Sequence, residues 1–348
     1  MDFLAREHLL SVSRFAVQYL AESRHSKENN MTGFSLMSRS TFLGLLTTGL
    51  LVACTDSTEQ ATSSEDRVEL KSVRVNDTTL HYIERGQGTP VVFVHGALGD
   101  YRTWDGQIEA FSEEYRVISY SRRFYYPNEY PQDSVVFPRP DHVEDLKVFI
   151  DALDIHPIHL VGHSGGGAIS LLFARDYPEY LISLTLGEPT VTELLATTAE
   201  GLSARQWYGE TVRGPSTAAF QAGNDQEGVR LFIDGVMGRK NAFDNLPSNF
   251  RDGMLQNAHT MRSSRLDKNP RTRTRPSFSC EDGGRIRIPT FLIHGELSPK
   301  MFVVINDILE QCLPNVERAT LQSASHSLEM ENPAGFNEIV LGFLRQQK

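Results

Sequence analysis

From Arg67 onward, short apolar runs alternate with amphipathic stretches. Residues 69–75 and 78–84 alternate apolar and polar positions around Asn76-Asp77, which predicts a hairpin, although its turn lacks the usual glycine. Pro90-Val91-Val92-Phe93-Val94 and Arg116-Val117-Ile118-Ser119-Tyr120 have the length and apolarity of buried strands. Residues 141–153 then place Val143, Leu146, Phe149, Ile150 and Leu153 at helical spacing, with Asp141 as the expected N-cap. Further strands are expected at 158–161, 181–186 and 290–294, and helices at 168–173 and around Phe336, Ile339, Val340, Phe343 and Leu344. Strands separated by helices in this order predict an α/β fold, a mostly parallel central sheet with helices on both faces.

The rhythm breaks between Pro189 and Ile288, an interval too long for a plain loop. Helical fragments around Trp207-Tyr208, Leu231-Phe232 and Phe250-Met254, then a polar tail over 263–284, suggest an inserted helical unit. The expected division is a core in two parts, 67–190 and 288–348, around a cap at 191–287. A chain of 348 residues accommodates one large domain with such an insertion.

Ahead of this core, residues 37–54 combine Arg39 with an apolar stretch ending in Leu51-Val52-Ala53-Cys54. The stretch is shorter than the ~20 residues a spanning helix needs, and has the layout of a secretion signal. Its end resembles the lipobox of bacterial lipoproteins. That resemblance implies a lipidated Cys54 attached to a cell-envelope membrane, with residues 55–66 as a polar tether. A buried apolar helix in a cytoplasmic protein is the alternative. Residues 1–36 precede the signal and have no expected role, since Met31 and Met37 are both candidate starts. In an oxidising compartment Cys280 and Cys312 are free to pair.

Composition narrows the chemistry. The net charge of −10 argues against nucleic acid as the main partner, because phosphate binding needs a basic surface. Arg271, Arg273 and Arg275 form a local basic run, read as a solvated loop. The three cysteines lack metal-ligand spacing, and neither a Gly-Lys-Ser/Thr phosphate loop nor a His-Glu-x-x-His helix occurs. No metal or cofactor is called for.

What the chain does carry is Gly162-His163-Ser164-Gly165-Gly166, set between an expected strand and an expected helix. In that context Gly-x-Ser-x-Gly marks a sharp turn that exposes a serine hydroxyl at a helix N-terminus. There backbone N–H groups meet a developing anion. With His95-Gly96-Ala97 after an earlier strand and Ser323-Ala324-Ser325-His326 before the last helix, the chain from about Arg67 resembles the α/β-hydrolase family. The resemblance implies Ser164 as nucleophile, His326 as base, and an oxyanion hole made by the N–H groups of Ala97 and Gly165. His95 and His163 belong to the oxyanion and elbow motifs and are not expected to be the base.

Many members place the acid in a Gly-x-x-Asp pattern after the seventh strand. Here Gly295-Glu296-Leu297-Ser298 puts a serine at that position. Other members take the acid from the end of the sixth strand, which points to Glu188, with Glu296 as the competing choice. In the cap, Trp207, Tyr208, Phe220, Phe232 and Met254 are apolar enough to line an enclosed pocket; Trp207, Tyr208 and Phe232 are the chosen substrate contacts. The implied substrate is a small or medium, partly apolar ester or lactone. Carbon–carbon bond hydrolysis, cofactor-free haloperoxidase chemistry, or ligand binding with little turnover remain as alternatives.

Overall fold

The computed structural model describes residues 69–130, 139–267 and 277–347. Eight strands form one sheet: β1 (Lys71–Val75), β2 (Thr78–Arg85), β3 (Pro90–Val94), β4 (Arg116–Tyr120), β5 (Ile158–His163), β6 (Leu181–Gly187), β7 (Thr290–Gly295) and β8 (Val316–Leu321). Their spatial order is β1-β2-β4-β3-β5-β6-β7-β8. The β1–β2 and β2–β4 pairs are antiparallel and every other pair is parallel. The glycine missing from the first turn is replaced by Asn76, whose φ of 51° lies in the left-handed region that asparagine tolerates.

Side chains alternate across the sheet as period-two geometry requires. Val92, Val94 and Leu160 face one core, shared with Leu146 and Phe149 of α2 (Arg139–Leu153) and Leu172 of α3 (Gly165–Asp176). Val91, Phe93 and Val161 face the other, shared with Phe111 of α1 (Asp105–Ser112), Trp104 and, from the last helix, Phe336. Asp141 lies inside the first turn of α2, which starts at Arg139, so it is not the N-cap that the periodicity suggested.

Between β6 and β7 the chain forms helices α4 (Ala199–Trp207), α5 (Gly214–Gln221), α6 (Asp225–Val236), α7 (Ser248–Gln256) and α8 (Ala258–Leu266). The polar tail expected over 263–284 is helical at its start, to Leu266, and the arginine run at 271–275 lies outside the described residues. Helix α9 (Lys300–Cys312) follows β7, and α10 (Pro333–Leu344) ends the fold.

Cys280 and Cys312 form a disulfide with their Cα atoms 4.9 Å apart. Closing a loop of sequence separation 32 stabilises the fold by about 4 kcal/mol in the chain-entropy picture. The segment around Cys54 is outside the described residues. Among those described, no helix is long and apolar enough to cross a membrane.

Candidate active site

The parallel strands deliver their C-terminal ends to one edge of the sheet, the side where open α/β sheets bind ligands. Strand β5 lies between β3 and β6 and ends in the elbow. Ser164 has φ 52° and ψ −118°, a strained conformation for a residue with a Cβ, held by tight surroundings. Its N–H donates to the Gly187 carbonyl at 2.8 Å, and its carbonyl accepts from Ala168 and Thr190. The glycines around it are required by close approach. A Cβ on Gly166 would lie 2.2 Å from the Val94 carbonyl oxygen, and one on Gly162 would lie 2.3 Å from Ser170 Oγ.

The side chains of Ser164, His326 and Glu188 meet in one chain of hydrogen bonds. His326 Nε2 is 3.0 Å from Ser164 Oγ, and His326 Nδ1 is 2.6 Å from Glu188 Oε2. A carboxylate only accepts, so Nδ1 carries the proton and Nε2 presents its lone pair to the serine hydroxyl. Glu188 is fully buried at a φ of 46°, and its Oε1 also accepts the Gly295 N–H at 2.9 Å. Glu296 is elsewhere: it is exposed and accepts from the Ser323 N–H. Ser298 Oγ is buried near Gly295 with no hydrogen-bond partner, so it supplies no charge to the imidazole.

Ala97 and Gly165 place two backbone N–H groups in one neighbourhood at the elbow. A Cβ on Gly165 would stand 3.7 Å from Ala97 N, so the two amides are neighbours. Gly165 begins α3, where the first N–H groups have no helical acceptor, and Ala97 N–H is likewise unused among the described residues. Beside them lies a cavity of about 250 Å³, lined at its base by Ser164 and His326 and above by Leu98, Phe232, Phe250 and Met254. Trp207 and Tyr208 do not line it. Trp207 ends α4 and Tyr208 follows it, and both pack, half-buried, against the hydrophobic core, so the cap's aromatic pair is structural rather than substrate-facing. Phe220 is buried as well.

This geometry agrees with an independent sequence comparison. Residues 89–333 match the model of the alpha/beta hydrolase fold family. The chain belongs to the α/β-hydrolase family. Human epoxide hydrolase 4 is 26% identical over 287 residues, covering 79% of this chain and 78% of that protein. The carboxylesterase CesB from Bacillus subtilis has the same fold, with a TM-score of 0.62 at 19% identity, covering 80% of this chain and 92% of that one. Est816, described as an N-acyl homoserine lactone degrading enzyme, aligns with a TM-score of 0.62 at 20% identity, covering 78% of this chain and all of that one.

Two features of this α/β-hydrolase site have no local signal in the sequence. Phe302 of α9 stacks on the His326 ring, with centroids 3.8 Å apart and 13° between planes. It lies 24 positions before the histidine, in a helix outside those expected above. The second is a buried pair, His163 and Glu329. His163 Nε2 is 2.6 Å from the His326 carbonyl, which only accepts, so Nε2 carries a proton. His163 Nδ1 lies 3.2 Å from Glu329 Oε1, a contact that needs one further proton between them.

Burial pushes the Glu329 carboxyl up, against the pull of His163, and pushes the His163 imidazole down. Both shifts favour the neutral form: a carboxylic acid facing a neutral imidazole. Glu188 and Glu331 also face Glu329 and raise it further. A carboxyl whose pKa is raised on folding contributes fully below its unfolded value, and that contribution is lost as pH rises toward the folded value. Glu329→Gln removes this loss. Its melting temperature is therefore expected to rise relative to wild type as pH increases from 4 to 8. A difference that stays constant in thermal unfolding across that series rules out a raised Glu329.

Proposed function

We propose that this α/β-hydrolase cleaves a carboxylic ester or lactone through an acyl-enzyme formed on Ser164. The observation that carries this reading is the buried Ser164–His326–Glu188 chain set beside two unused N–H groups. His326 Nε2 takes the hydroxyl proton as Ser164 attacks the carbonyl carbon, while Glu188 orients the imidazole and stabilises its charged form. The Ala97 and Gly165 N–H groups hold the oxyanion, which carries more charge than the ground-state carbonyl and so gains more from them. His326 protonates the leaving oxygen. Water then enters by the same route, breaks the acyl–serine bond and releases the acid.

Serine disfavours epoxides despite the likeness to epoxide hydrolase 4. Attack by a hydroxyl on an epoxide carbon would leave an ether, which this machinery has no carbonyl to resolve. The cavity of about 250 Å³ lies below the roughly 300–1,000 Å³ of drug-sized sites, which favours a short acyl group or small lactone over a long acyl chain. Leu98, Phe232, Phe250 and Met254 supply the apolar wall. The names of CesB and Est816 support the ester and lactone classes respectively.

The Cys280–Cys312 disulfide supports export, and with it the proposed lipid attachment at Cys54, since cytosolic thiols are normally kept reduced. Incubating the protein with a panel of short-chain p-nitrophenyl esters and acyl lactones tests the reaction. Many product equivalents per protein are expected. At most one equivalent across the panel would make the protein a binder or direct it to another bond.

A further inference from the structure

Arg122 is buried behind the oxyanion loop, 4% exposed, in the segment that follows β4. Its Nη2 donates to the Gly96 carbonyl oxygen at 2.8 Å. Its guanidinium lies over the Tyr125 ring, 4.3 Å from the centroid, and its Nε has no hydrogen-bond partner. Among the described residues no carboxylate pairs with it: Asp145 and Asp77 are bound by Arg123 instead. An arginine buried without a counter-charge is costly, and one carbonyl hydrogen bond could be supplied by a neutral side chain. The position of the charge therefore needs an explanation.

The same carbonyl has a second donor, fixed by tautomer. The Arg122 backbone N–H donates to His95 Nε2 at 3.0 Å, so Nε2 holds a lone pair and the ring proton is on Nδ1. His95 Nδ1 is 2.8 Å from the Gly96 oxygen and donates to it. Burial, reinforced by Arg122, holds this imidazole well below its usual range and keeps it neutral. The Gly96 oxygen thus accepts one charged and one neutral hydrogen bond. It belongs to the same peptide group as the Ala97 N–H. Resonance across that group moves electron density from nitrogen to oxygen when the oxygen is bound by donors. A chain of hydrogen bonds polarises along its length.

We propose that Arg122 is a positioning residue that polarises the Gly96–Ala97 peptide and so strengthens the Ala97 N–H as an oxyanion donor. The benefit is greatest when the far end meets a full negative charge, so it favours the tetrahedral intermediate over the bound substrate. The proposal rests on the acyl-transfer reading of Ser164.

The test compares Arg122→Gln and Arg122→Lys with wild type, using an ester substrate and a phenylboronic acid, which forms an anionic tetrahedral adduct on a serine nucleophile. Arg122→Gln is expected to lower kcat roughly 10- to 100-fold, less than the 10²–10³ typical of losing an oxyanion donor outright. KM should stay near wild type, and boronate affinity should fall by the same factor as kcat. Arg122→Lys retains the charge and should recover part of both losses.

A rise in KM at unchanged kcat, or boronate affinity unmoved while kcat falls, would mean that Arg122 only packs the loop. Equal losses in both variants would also overturn the proposal, because the charge would then not matter. Wild-type protein that neither turns over esters nor binds the boronate would refute the acyl-transfer reading itself, a result separate from any of these.

Discussion

Ser164→Ala is expected to lower ester turnover by about 10⁶-fold in kcat, the scale seen when a serine nucleophile that works with its base is removed. The size follows from the number of steps that pass through one atom. His326 Nε2, 3.0 Å away, takes the proton from Oγ, and without Oγ no serine-bound adduct forms, which leaves only direct attack by water. Residual rate over water should come from the oxyanion donors and the cavity alone. Covalent labelling by a fluorophosphonate should vanish in the same variant. Labelling that survives the substitution places the nucleophile on another residue.

Glu188→Gln should cost about 10⁴-fold in kcat, with little change in KM. Glutamine matches the shape but offers an N–H where the carboxylate accepted. The imidazole then turns its lone pair toward the new amide and its proton toward Ser164, the tautomer that cannot accept the hydroxyl proton. Glu296→Gln supplies the contrast. Its carboxylate is exposed and meets only the Ser323 N–H, so activity should stay within about twofold, in line with the ±0.5 kcal/mol usual for exposed positions. Steady-state kinetics on the two variants separate the assignments, and a large loss confined to Glu296→Gln would reverse them.

The central sheet was legible because its strands are short apolar runs between turns, and burial on both faces removes ambiguity. Strand β5, buried at all six positions, is the clearest case. Glu188 was legible through a gap: the serine at 298 left the usual acid position without a carboxylate, and the end of β6 held one that keeps the order nucleophile, acid, base. The substrate-facing residues were not. Whether an aromatic cap residue points into a cavity or into the cap's own core depends on how helices rotate against each other. Phe232 and Met254 turned one way, Trp207 and Tyr208 the other.

Helix α9 was legible in principle, since Met301, Val304, Ile305, Ile308, Leu309 and Cys312 recur at helical spacing and are all buried; what no local pattern shows is that Phe302 of this helix meets His326. Pairing between His163 and Glu329 is likewise invisible locally. It joins the end of β5 to the short helix Leu328–Glu331 after the base, across 166 positions of sequence (329 − 163 = 166).

Asn257, fully buried between α7 and α8, donates to the Leu98 carbonyl and to Asp100 Oδ2, and accepts the Tyr126 N–H. One amide therefore ties the cap to the stretch of chain that begins at the oxyanion loop. A cap whose helices change to admit a new substrate inherits this obligation. Grafting a foreign cap onto this core would transplant selectivity only if the graft brought an equivalent amide to the same three groups; otherwise the new pocket would sit above a loosened catalytic floor.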